Sequence, residues 1–150
     1  MSLRDDFTAS LKEAMKAGDK LKTSTLRLIT SALKDRDIEA RGSGKTLSED
    51  DILALLQKMV KQRQESLKIY TDAGRTDLAE QEQGEITIIQ SFLPQQMDAE
   101  AVSSAIDSVI AETGAASIKD MGKVMAVLKE RFAGRMDFGA ASGAIKSKLG

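Results

Sequence analysis

The side chains able to do chemistry in this 150-residue chain fall into three groups. The first is acidic. Between Asp72 and Glu85 stand five carboxylates (Asp72, Asp77, Glu80, Glu82, Glu85) against Arg75 alone. Glu82 and Glu85 lie three apart and share a helix face, with Asp77 and Glu80 one turn back. Carboxylates so spaced can hold a divalent ion or divide acid and base work. They also stabilise a helix N-terminus and form salt bridges, which is routine on solvated helices. We take that second reading, with Arg75, Asp77, Glu82 and Glu85 as structural ion pairs. Glu85 adjoins the apolar Ile86 and is expected to be partly buried against Arg75 or Arg27. Neither a metal nor another cofactor is expected.

The second group is basic. From Ser10 to Arg36 seven basic residues face three acids, and from Lys119 to Lys148 seven again face three, a local +4 in each case. Lys12 and Lys16 are one helical turn apart, as are Lys119 and Lys123, a spacing that can bridge successive phosphates. Candidate RNA contacts are Lys119, Lys123, Lys129, Arg131, Lys146 and Lys148, with Lys12, Lys16 and Arg27 in the first segment. A solvated face is the alternative. Ser117 would cap the helix bearing Lys119 and Lys123, so that free backbone N–H groups, the helix dipole and two ammoniums converge there. Gly122 inside that helix costs roughly 1 kcal/mol relative to Ala. Close approach of a neighbouring helix is its expected reason, with close approach of a phosphate backbone as the other.

The third group is small and hydroxylated. Ser31 and Ser142-Gly143 have no base partner in sequence, and Ala140 to Ala144 reads as a close-packing helix face. Gly42-Ser43-Gly44-Lys45 lacks the spacing of a phosphate-binding loop and reads as linker. The chain has no Cys and no His, which removes thiol nucleophiles, disulfides, imidazole triads and Cys or His metal sites. No catalytic residue is therefore assigned.

These groups must be positioned by helices. Leu3, Phe7, Leu11 and Ala14/Met15 recur every three to four residues, which predicts a helix from about Leu3 to Ala17 with Ser2 as its cap. Gly18 and Asp19 end it and start a second, about Lys20 to Arg41, with Leu26, Ile29 and Leu33 inward and Leu28 and Ala32 widening the stripe. Ser48 and Asp51 open a third, carrying Ile52, Leu55, Leu56, Met59, Leu67 and Tyr70 to Gly74. A fourth begins near Thr76 or Asp77, bears Ile86, Ile88, Ile89, Phe92 and Leu93, and stops at Pro94; run length favours helix, although Ile86 to Ile89 could locally read as strand. Asp98, Ser117 and Asp137 cap three shorter helices. The reading is all-α, about seven helices: a larger N-terminal helical subdomain, 1–94, and a small C-terminal three-helix tail, 98–150. Phe7, Phe92, Phe132 and Phe138 sit on apolar stripes, so base stacking on exposed aromatics is not expected.

A net charge of −1 gives no strong pull toward DNA or an anionic membrane. The longest aliphatic run, Ile52 to Leu56, is too short to span a bilayer. Two acids by position 6 argue against a signal peptide, and the lack of Cys fits the cytosol. The expected localisation is cytoplasmic.

Leu26-Arg27-Leu28-Ile29-Thr30-Ser31-Ala32-Leu33-Lys34 with Ile38 to Arg41, then Tyr70 with Gly74 to Glu80, Phe92-Leu93-Pro94-Gln95-Gln96, and Asp120-Met121-Gly122-Lys123-Val124-Met125 follow one another in order. Over essentially the whole chain this set resembles the YqeY family of bacterial proteins. That family is similar to the helical and tail region of the GatB subunit of tRNA-dependent amidotransferase. The resemblance implies an all-α protein whose tail approaches tRNA. It also carries a label of carbon–nitrogen ligase activity with glutamine as amido-N-donor, which no set of residues here supports. The expectation is a non-catalytic accessory protein that binds tRNA by shape and phosphate. The alternatives are an interaction module for a synthetase or amidotransferase-like partner protein, or a share in amidotransferase activity.

Overall fold

The computed structural model describes residues 2–150. The protein is all-α: among the described residues there are seven α-helices, one short 3-10 turn and no strand. The helices are α1 (Leu3–Ala17), α2 (Lys20–Gly42), α3 (Glu49–Asp72), α4 (Thr76–Gln90), α5 (Ala99–Thr113), α6 (Met121–Phe132) and α7 (Phe138–Leu149), with the 3-10 turn Ile118–Asp120 leading into α6.

Local chemistry sets most of the boundaries. The Ser2 hydroxyl accepts from the Asp5 N–H, and Asp19, Asp98 and Asp137 carboxylates do the same for α2, α5 and α7. Ser48 and Asp51 cap α3 reciprocally. Gly18 and Gly114 close α1 and α5 at φ +69° and +68°, a left-handed conformation that a Cβ would oppose. Helix α4 ends at Gln90 rather than running to Pro94, and Phe92 and Leu93 follow in turns whose N–H groups bond to Ile89 and Gln90. A residue before proline avoids the α region, so the chain leaves the helix early.

The chain divides into two compact units, the first ending at Leu93 and the second Pro94–Gly150. The first holds a core of Phe7, Leu26, Ile29, Ile52, Leu56, Ile86 and Ile89, with Phe92 edge-on to Phe7 at 5.0 Å between ring centres. In it α3 packs mainly along α4, and α2 packs on α1 and α4. Arg4 on α1 makes a bidentate ion pair with Asp37 on α2 at 3.0 and 2.7 Å. Leu28 and Met15, expected on inward stripes, are exposed: their immediate neighbours Ile29 and Ala14 take the buried positions.

The second unit has its own core of Ile106, Val109, Val124, Leu128, Met136, Ala141 and Ile145. Residues 94–97, at the boundary of the two expected subdomains, are bound into this unit. The Met97 N–H donates to the Arg135 carbonyl at 2.9 Å, Gln96 Nε2 to the Gly134 carbonyl at 2.6 Å, and Arg135 Nε to the Gln95 carbonyl at 3.1 Å.

Candidate nucleic-acid interface

Helix α6 buries Val124 and Leu128 in the second core. The 3.6-residue repeat then turns Gly122, Lys123, Ala126 and Lys129 outward, with Lys119 on the preceding 3-10 turn continuing the same row. All five are exposed, and Lys119, Lys123 and Lys129 have no ion-pair partner among the described residues. Glu130 is exposed beside Lys129 and subtracts one charge from the lower end of the row. Lys146, in the last turn of α7, is also exposed and unpaired.

The start of this row differs from the expectation that its backbone donors are free. Asp120 Oδ2 accepts from the N–H groups of Ala116 at 3.0 Å and Ser117 at 3.4 Å. Those hydrogen bonds hold the Asp120 carboxyl below the usual aspartate range, helped by Lys123. A carboxylate of the chain itself thus takes up the two donors just ahead of the turn.

Gly122 also departs from its expected reason. A Cβ built on it would meet nothing within 4 Å, and the same holds for Gly143 on α7. No neighbouring helix approaches either one, so close packing does not require glycine there. The close approach occurs elsewhere: a Cβ on Gly84 of α4 would stand 2.6 Å from Leu21 Cδ2.

The other basic candidates differ in environment. Arg131 forms a 2.6 Å ion pair with Glu112, which raises the guanidinium and lowers the carboxyl pKa, chiefly through their hydrogen bond. Lys148 pairs with Asp107 at 2.7 Å. Lys12 and Lys16 on α1 and Arg27 on α2 are exposed, form no ion pair among the described residues, and belong to the first unit.

Of the acidic candidates, Arg75 and Asp77 pair at 3.3 Å on the surface, and Asp77 is held below its ordinary range by that contact. Glu82 is half-buried and forms no ion pair among the described residues. Glu85 is buried, and its partner is neither Arg75 nor Arg27 but Arg63 of α3, Nε to Oε2 3.7 Å. Burial pushes the Glu85 carboxyl up, against the pull of Arg63 and with a smaller push from Glu82. Arg63 donates from Nη1 to the Met59 carbonyl at 3.2 Å, while its Nε is buried with no hydrogen-bond acceptor. The sequence signal for Arg63 was its position one turn beyond Met59 and one before Leu67, an arginine on an apolar stripe. No group of three or more acids able to hold a metal occurs among the described residues.

The family model described as Yqey-like protein matches residues 4–149. The chain belongs to the YqeY family. Curated relatives of this YqeY protein include Altered inheritance of mitochondria protein 41, mitochondrial, from three yeasts. That of Vanderwaltozyma polyspora is 30% identical over 74% of this chain and 62% of its own length. The Lachancea thermotolerans protein is 39% identical over 57% of this chain and 44% of its own. The Saccharomyces cerevisiae protein is 35% identical over 65% and 49%. The chain spans about half the length of the curated relatives it matches. Their mitochondrial names overturn the expectation of a cytoplasmic protein, and they are yeast rather than bacterial proteins. The physical reason is plain: a charge-balanced chain without Cys suits any reducing compartment equally well.

Proposed function

We propose that the second unit of this YqeY protein binds folded RNA, tRNA by resemblance, through the exposed row on α6, without transforming it. The observation that carries this is the row itself. Three exposed lysines without an ion-pair partner among the described residues flank Gly122, which has no side chain to hold a phosphate backbone away. The side chains are long enough to reach phosphates on either side, and no aromatic among the described residues is fully exposed for stacking single-stranded bases. The mitochondrial names of the yeast relatives support a mitochondrial place of work.

The test is tRNA binding as a function of salt. With about 3 to 5 phosphates neutralised, log K falls against log salt with a slope of roughly −2 to −4. Replacing Lys119 and Lys123 by Ala flattens the slope by about 1 to 2. An unchanged slope removes the row from the interface. Capture of a stable protein partner that survives RNase, with no tRNA retained, replaces this reading by a protein-interaction one.

A further inference from the structure

The loop joining α2 to α3 and the two helix ends it connects enclose an open groove of about 490 Å³ in the first unit. It exists because these consecutive helices touch little, each packing instead on other elements. Its size is that of small-ligand sites.

Its lining is rich in donors. Arg36 from α2, Lys45 from the loop and Lys58 from α3 line it, and none of them forms an ion pair among the described residues. The Ser43 and Thr46 hydroxyls also lack partners there. Acceptors are fewer. Asp51 is engaged by the Ser48 N–H at 2.9 Å in the α3 cap and attracts Lys45, and Glu39 is the groove's other carboxylate, with no ion pair among the described residues. The backbone N–H groups of Ser43, Gly44 and Lys45 are spent on the carbonyls of Ala40 and Arg41. The floor is apolar, with the nearly buried Leu55 and the half-buried Leu47.

We infer that this groove binds a small organic anion, a phosphate or carboxylate group held by Arg36, Lys45 and Lys58 with its apolar body on Leu47 and Leu55. The three cations supply charge-assisted hydrogen bonds to an oxyanion. The apolar floor distinguishes this ligand from a bare ion and from an RNA backbone, neither of which has hydrocarbon to bury. The inference is independent of RNA binding by α6, since its residues lie in the other unit.

The experiment is a titration of the full ¹⁵N-labelled chain followed by NMR, with phenyl phosphate, benzoate and inorganic phosphate as separate probes. Phenyl phosphate or benzoate is expected to shift the amides of 40–47 and 51–58 to saturation, the tighter of the two naming the anion. Inorganic phosphate should bind about tenfold more weakly for want of the apolar contact. R36Q/K58Q should weaken the organic probe by about tenfold or more while the rest of the spectrum holds. A54L, which fills the groove and removes no charge, should weaken it as well. No saturation by either organic probe overturns the inference. So does equal binding by inorganic phosphate, unchanged binding in both variants, or tRNA shifting these amides at lower concentration than the organic probes.

Discussion

Glu85 and Arg63 form a buried pair that neither partner completes. At 3.7 Å the contact is an ion pair without a hydrogen bond, and Arg63 Nε has no other acceptor. The desolvation of the carboxylate outweighs the attraction, so its pKa lies above the ordinary glutamate value. A folded-state pKa above the unfolded one means that the folded protein holds the proton longer. The associated stability is therefore full at acid pH and is lost as pH rises through the folded-state pKa. E85Q keeps the shape and an acceptor for Arg63 but removes the charge. Denaturant unfolding should show E85Q and the parent alike near pH 4, with the variant increasingly the more stable toward pH 7. A variant whose deficit grows with pH would show that the ion pair outweighs desolvation. Asp120 has the opposite sign. Its pKa is lowered by backbone donors, so its contribution is present at neutral pH and lost as pH falls through the folded value. D120A should lower the melting temperature at pH 7 and much less in acid.

Two glycines of neighbouring elements separate structure from function. Gly114 closes α5 in a left-handed conformation, so G114A should destabilise by about 1 kcal/mol or somewhat more. Gly122 sits within α6 with open space where a Cβ would go, so G122A should stabilise by about 0.5 to 1 kcal/mol. If α6 meets a phosphate backbone, the same G122A should weaken tRNA binding although the protein becomes more stable. Thermal unfolding and tRNA affinity measured on one sample decide this, and unaltered affinity would take Gly122 out of contact. The capping residues were legible because a cap is local: Ser2, Asp19, Ser48, Asp98 and Asp137 need only the three residues that follow. At the start of α6 the Ser117 cap was legible too, as a capping box with Asp120, but not the 3-10 turn that it opens, in which Asp120 also turns back onto Ala116.

Each unit has a separate apolar core, centred on residues such as Leu56 in the first and Leu128 in the second. We expect the two to unfold with separate stabilities. L56A and L128A should each cost about 2 to 5 kcal/mol by leaving a cavity. Amide hydrogen exchange should show the loss confined to residues up to 93 for L56A and to 94–150 for L128A. Uniform loss of protection in either variant would mean one cooperative fold. The small second unit buries little surface for its size and should be the less protected of the two.

The amino-acid sequence by itself determined the all-α class, the order of the helices, their caps and the family. Each depends on neighbours within a turn or two, or on motifs that persist along the chain. Tertiary structure decided what depends on partners distant in sequence. It placed Arg63 against Glu85, exposed Leu28 and Met15 while burying the residues beside them, and set Arg131 and Lys148 against Glu112 and Asp107. It also gave the Gly42 to Lys45 linker a role as the wall of a groove, because only the divergence of α2 from α3 leaves room there. Helical periodicity says which way a side chain points from its own axis; which charge or cavity it meets is set by the packing of other helices.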